Sequence, residues 1–95
     1  MLTEADGVVE TITPGGYVDH FDSGQVAIFD VMSMAVTSPA GNARLRVVLD
    51  AQPPAGVEWR PGLRVRFQIE DHLIGTHEPV YSATLRDVRV VGEQG

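Results

Sequence analysis

The chain has no cysteine and no lysine, few aromatic residues, and no base at all in its first 42 positions. Without cysteine there are neither disulfides nor thiolate metal sites, and the redox compartment stays open. All seven basic residues are Arg, and all lie in residues 43–95, where seven acids balance them. Residues 1–42 hold six acids (Glu4, Asp6, Glu10, Asp19, Asp22, Asp30), so the formal charge of −6 belongs to the first half. That balance disfavours general attraction to a phosphate backbone, and nucleic acid is an unfavourable partner. No apolar run approaches the ~20 residues of a membrane span. The opening MLTEADG has neither the basic nor the apolar region of a signal peptide. The expectation is a soluble chain, cytoplasmic by default.

What is present is β-patterning within one domain, since 95 residues are too few to divide between two cores. Val26–Val36 and Ala43–Asp50 are apolar runs separated by turn chemistry at Pro39, Gly41 and Asn42, which reads as a hairpin. In the second run Leu45, Val47 and Leu49 lie on one side and Arg44, Arg46 and Asp50 mostly on the other. The first run also places Asp30, Ser33 and Thr37 at helical spacing. Its β-branched Val26, Ile28, Val31 and Val36 favour a strand, with a bulge expected near Asp30.

Before the hairpin, Gly7–Ile12 and Tyr17–Phe21 read as two short strands. Pro14-Gly15-Gly16 makes a turn between them, and Asp22-Ser23-Gly24 a second turn. After it, Pro53, Pro54, Gly56, Pro61 and Gly62 exclude long regular structure. Leu63, Val65, Phe67 and Ile69 then alternate strictly with polar residues. The last run, Val80–Val91, keeps its apolar phase only with one residue inserted near Arg86-Asp87, which predicts a β-bulge. Residues 1–5 and 92–95 read as loose ends. The predicted fold is all-β: a small barrel of five to six antiparallel strands, OB-like, with a meander or β-sandwich as the alternative.

Four groups of residues invite a functional reading. Met32 and Met34, two apart on a strand, point the same way, and paired thioethers suit Cu(I) or Ag(I); as core residues they would simply fill space. His72 and His77, with Glu70, Asp71 and Glu78, put five oxygen and nitrogen ligands within nine residues, a chemistry suited to a divalent ion, although the spacing fits no standard zinc pattern. Arg44, Arg46, Arg64, Arg66, Arg86 and Arg89 project from strands. They would form either a stripe that grips an acidic protein surface or ordinary cross-strand pairs with Asp50, Glu70 and Asp87. Trp59, in a Pro/Gly-rich loop, is either a recognition anchor or a lid on the barrel end.

GVVETI, Tyr17-Val18-Asp19-His20, the Met32-Ser33-Met34 pair, Gly62–Phe67 and Leu85–Val90 together resemble the small periplasmic copper/silver-binding proteins of bacterial metal efflux systems, which are helix-free OB barrels. The resemblance implies His20, Met32 and Met34 as Cu(I)/Ag(I) ligands. Phe29 stands where that family has its capping Trp, and Ala43–Asp50 is an added strand.

No nucleophile motif surrounds Ser23, Ser33, Ser38 or Ser82, and Pro14-Gly15-Gly16 is not continued into a phosphate loop. The expectation is therefore a non-catalytic binding or accessory module. Its partner would be another protein, held by rim loops, Trp59 or the face bearing Arg44, Arg46, Arg64 and Arg66, with no cofactor unless Cu(I)/Ag(I).

Overall fold

The longest strand is held together by what interrupts it. In the computed structural model, which describes residues 1–49 and 57–93, β1 runs from Leu2 to His20. Nineteen residues of straight strand would span roughly 60 Å. The whole molecule is only 41 Å in its longest direction, so β1 must bend. It does so at two irregularities, one at Glu10 and one at Pro14-Gly15-Gly16, where three residues of β1 face the single Asp30. Pro14-Gly15-Gly16 is thus a bulge inside one strand rather than a turn between two. The bulge expected near Asp30 is opposite that residue, on the neighbouring strand. Gly15 takes φ +64°, and its N–H donates to Asp30 Oδ1 at 3.1 Å, so the acid satisfies a backbone group that the bulge frees.

β2 (Val26–Ser38) and β3 (Gly41–Leu49) form the expected hairpin, and Val26–Val36 is strand, not helix. β4 (Leu63–Glu70) keeps its strict alternation, with Leu63, Val65, Phe67 and Ile69 buried. The last run is cut by a 3₁₀ turn at Ser82–Thr84 into β5 (Val80–Tyr81) and β6 (Arg86–Glu93). The predicted bulge is present: Asp87 and Val88 together oppose Phe67, and Asp87 adopts φ +52°.

The strand order is β5-β3-β2-β1-β4-β6. β5 joins β3 in parallel and β6 joins β4 antiparallel, so the two halves of one run reach both ends of the sheet and curl it toward a barrel. The sheet is mixed, not purely antiparallel. Among the described residues there is no α-helix, and no helix long and apolar enough to cross a membrane. Residues 1–5 are not loose. Leu2 pairs with Glu70, Ala5 is sealed in the core, and the Met1 amine donates to Glu70 Oε2 at 2.7 Å. Gly92 and Glu93 likewise belong to β6. Asp50 and the Pro53-Pro54-Gly56 segment lie outside the described residues, as do Gln94 and Gly95.

Inside the curl, Val9, Met32, Met34, Leu45, Val47, Leu63, Phe67 and Ile69 make the core. Gly7, paired with Val36, passes against the Met34 side chain, where only a residue without a Cβ fits.

Candidate binding face on the outer sheet surface

The two-residue period sorts every side chain of β2. Met32, Met34 and Val36 face inward; Phe29, Val31, Ser33 and Ala35 face outward. Cross-strand register extends this sorting to the neighbours. Ser33 is opposite Thr11 on one side and Arg46 on the other, and Val31 is opposite Thr13 and Val48. One row further along, Phe29 pairs with Tyr17. The outer face of β1-β2-β3 therefore reads, from one end, aromatic, aliphatic, hydroxyl, arginine.

The aromatic end is held by β5. Tyr81 sits edge-on to Tyr17 with ring centroids 6.1 Å apart, and Phe29 lies 6.5 Å from Tyr17. The Tyr17 and Tyr81 hydroxyls share a hydrogen bond at 3.1 Å, which with partial desolvation pushes the Tyr81 pKa up to about 12. Beneath these rings Val31 and Val48 are buried although they face outward, so the aromatics cover a small second core.

At the other end Arg44 is committed: its Nε and Nη2 donate to Glu10 at 2.9 and 3.2 Å, and the carboxylate raises its pKa. Arg46 is not committed. No carboxylate of a described residue lies within ion-pair distance of it. Two concavities meet at the Arg44–Arg46 pair. One, of ≈ 280 Å³, is lined by Thr11, Thr13, Gly16, Val31 and Ser33; the other, of ≈ 450 Å³, by Gly75, Thr76 and His77.

The expected single Arg stripe is divided in two. Arg66 pairs with Asp6 at 2.8 Å and Glu4 at 3.7 Å, Arg89 pairs with Glu4 at 3.2 Å, and Arg60 pairs with Glu93 and Glu58. The acids of β1 thus lie as a ribbon between the arginines of β3 and those of β4 and β6. Cross-strand pairing is present, but its partners are Glu4, Asp6 and Glu10. Glu70 goes to the N-terminal amine instead, Asp87 is in no ion pair among the described residues, and Asp50 is not described. Arg64, like Arg46, has no ion-pair partner there.

Of the expected ligand sets, the soft-metal one does not assemble, and of the loop set only Glu70, Asp71 and His72 come together. Met32 and Met34 point the same way as expected, but into the core, with 0% of either exposed. His20 pairs with Val26, six residues before Met32 on β2, hence roughly 20 Å away at about 3.3 Å per residue. Phe29 is on the opposite face of the sheet from both Met, so it cannot cap them. His72 has its nitrogen within 4.8 Å of Glu70 and Asp71 oxygens, the one such group among the described residues, and His20 and His77 are not in it. His77 instead faces Arg44 and Arg46, whose charge opposes a cation. Trp59 packs, partly buried, against the core, which suits a lid better than an exposed anchor; its indole N–H has no hydrogen-bond partner among the described residues.

Tyr17, Tyr81, Thr11 and Ser33 are not among the residues that the sequence alone singles out for binding, and Phe29 enters there only as a metal cap. The sequence signal for the first two is the odd-numbered phase shared with Ser33. It is visible only once the bulge at residues 14–16 is known. Comparison of the chain with family models, with curated proteins and with solved structures finds no match.

Proposed function

We propose that the chain is a non-catalytic binding module that takes an acidic segment of another protein on the outer face of β1-β2-β3. The observation that carries this reading is Arg46: an arginine without a carboxylate partner among the described residues, standing where two concavities meet, beside a row of hydroxyls. The guanidinium of Arg46, which no carboxylate of a described residue occupies, offers a planar fork to a carboxylate, and Ser33 and Thr11 offer further hydrogen bonds next to it. The four arginines already paired to Glu4, Asp6, Glu10, Glu58 or Glu93 have less to offer, because a partner must first displace an internal carboxylate. Tyr17, Phe29 and Tyr81 give the same face an apolar end against which a ligand side chain can pack. The negative balance of the chain weighs against a nucleic acid here, despite the nearness of rings and arginine.

Selection from a displayed random-peptide library, run in parallel on the native chain and on Arg46→Glu, tests this. Enrichment of Asp- and Glu-bearing sequences on the native chain, abolished by Arg46→Glu, is the expected outcome. Enrichment that survives the substitution, or none at all, removes the reading.

A further inference from the structure

The β1-β2 hairpin outruns the rest of the sheet. β4 accompanies β1 only as far as Val8, and β3 accompanies β2 only from Asp30 onward, so residues 17–29 form a two-stranded arm. The inward-facing phase of β1 and β2 continues into this arm, where no strand of the described residues stands opposite. Val18 and Ile28 are directly paired there, with Val26 beside them and Phe21 at the tip. Ile28 is 66% exposed and Phe21 49%. The four together present on the order of 400 Å² of apolar surface, the size of the largest patch on a typical monomer, which is often functional. A lone two-stranded hairpin is marginally stable in water, so the arm gains from being covered.

The same chain carries a surface that matches it. A trough of ≈ 340 Å³ crosses the outer face of β2-β1-β4-β6, with Val8, Ala35 and Val91 along it, the Arg66–Asp6 ion pair on one wall and Arg64 at its rim. Val91 is 53% exposed, and Arg64 has no ion-pair partner among the described residues. The arm bears Asp19 and Asp22 on either side of His20 and Phe21, and no Lys or Arg. The apolar tip meets Val8, Ala35 and Val91, and the acids of the arm meet Arg64, whose charge no carboxylate of a described residue neutralises.

We propose that the arm of one copy docks in the trough of a second, reciprocally, giving a two-fold dimer. Each copy then contributes both an arm and a trough, so the same contact is made twice about the two-fold axis. Reciprocity closes the assembly at two chains; a one-way contact would propagate instead. The dimer uses Arg64 and leaves Arg46 and the outer face of β3 open, so it stands or falls separately from the ligand-binding proposal.

Sedimentation equilibrium of the full chain from about 1 μM to about 1 mM tests it, over the range of affinities such an interface spans. The native mass is expected to rise with concentration from one chain to two and stop there. Phe21→Ser and Arg64→Glu, both at exposed positions, are each expected to remain at the mass of one chain with native circular dichroism. The charge-swapped Asp22→Arg/Arg64→Glu double variant is expected to dimerise again. A native chain monomeric throughout, an assembly growing past two chains, or a dimer indifferent to Phe21→Ser and Arg64→Glu overturns the proposal.

Discussion

Gly7→Ala puts one methyl where the curl of the sheet leaves no room. An ideal Cβ at this position falls 2.1 Å from Met34 Sδ, 3.0 Å from its Cγ and 3.1 Å from Phe67 Cε1. The sulfur would have to retreat by about 1.5 Å to reach ordinary contact distance. Met is the most adaptable core side chain, but both Met34 and Phe67 are fully buried, with packed neighbours on every side. Overpacking of this kind costs about 1–3 kcal/mol. Replacing a strand glycine returns about 0.5–1 kcal/mol by lowering the entropy of the unfolded chain. The net expectation is a loss of about 1–2 kcal/mol, which for a domain of this size lowers the melting temperature by roughly 5–15 °C. Trp59 is the sole tryptophan and packs against the core, so its fluorescence follows unfolding in urea. A double-mutant cycle with Met34→Ala adds specificity. That change alone opens a cavity costing about 2–5 kcal/mol, but when Gly7→Ala accompanies it the new methyl fills part of that cavity. The double variant should therefore be more stable than the sum of the singles predicts by at least about 1 kcal/mol. A Gly7→Ala chain as stable as the native one, or an additive cycle, would show that β1 does not cross Met34 as described.

Three more outcomes follow from the same geometry. Tyr17→Phe removes the hydroxyl that raises Tyr81. The tyrosinate absorbance step near pH 12 should then move down toward the ordinary value of 10.0, and an unmoved step would contradict the pairing. The Glu70 carboxylate is held below its usual 4.5 by the Met1 amine, and the amine above its usual 8.0 by Glu70. The acid's contribution to stability is thus complete above pH 4.5 and lost as pH falls through its lowered value. The amine's is complete below pH 8.0 and lost as pH rises through its raised value. Glu70→Gln should flatten the stability profile on both flanks, and identical profiles would mean that the pair contributes nothing. Finally, Ag(I) added to the native chain should leave the Met32 and Met34 methyl resonances in place, because both thioethers are sealed and His20 is out of reach; a specific shift of both methyls at one equivalent would restore the soft-metal site.

Strand identity is legible wherever one face is core and the other is water. Leu63–Ile69 shows the alternation outright, and the phase slip at Arg86-Asp87 announces its bulge because the slip moves apolar residues to the wrong side. The bulge at Pro14-Gly15-Gly16 reads as a turn instead, since Pro and two Gly carry the same local signal in either setting. Only the register with β2 distinguishes them. The N-terminal residues look loose because Thr3, Glu4 and Asp6 are polar, yet Glu4 and Asp6 are exposed on either side of a buried Ala5, which is how a strand with one buried face begins. The candidate site is half legible. Arg44 and Arg46 stand out by charge, but which of them is free depends on Glu10, distant in the chain and brought near by the sheet. The aromatic end is hidden because Tyr81 reaches Tyr17 through a two-residue parallel pairing that no periodicity records. The spacing of the Met pair puts both on one face, but nothing in it tells which side that face will be.

The most direct test of the binding face is a ¹⁵N–¹H titration of the native chain with an acidic peptide recovered by the selection. The Arg46 side-chain Nε–H and the amides of Thr11, Ser33 and His77 should shift together and saturate, while Arg66 and Arg89, already paired on the other side of the β1 acids, stay still. Shifts confined to β4 and β6, or scattered without saturation, would place recognition elsewhere and contradict the assignment of this face.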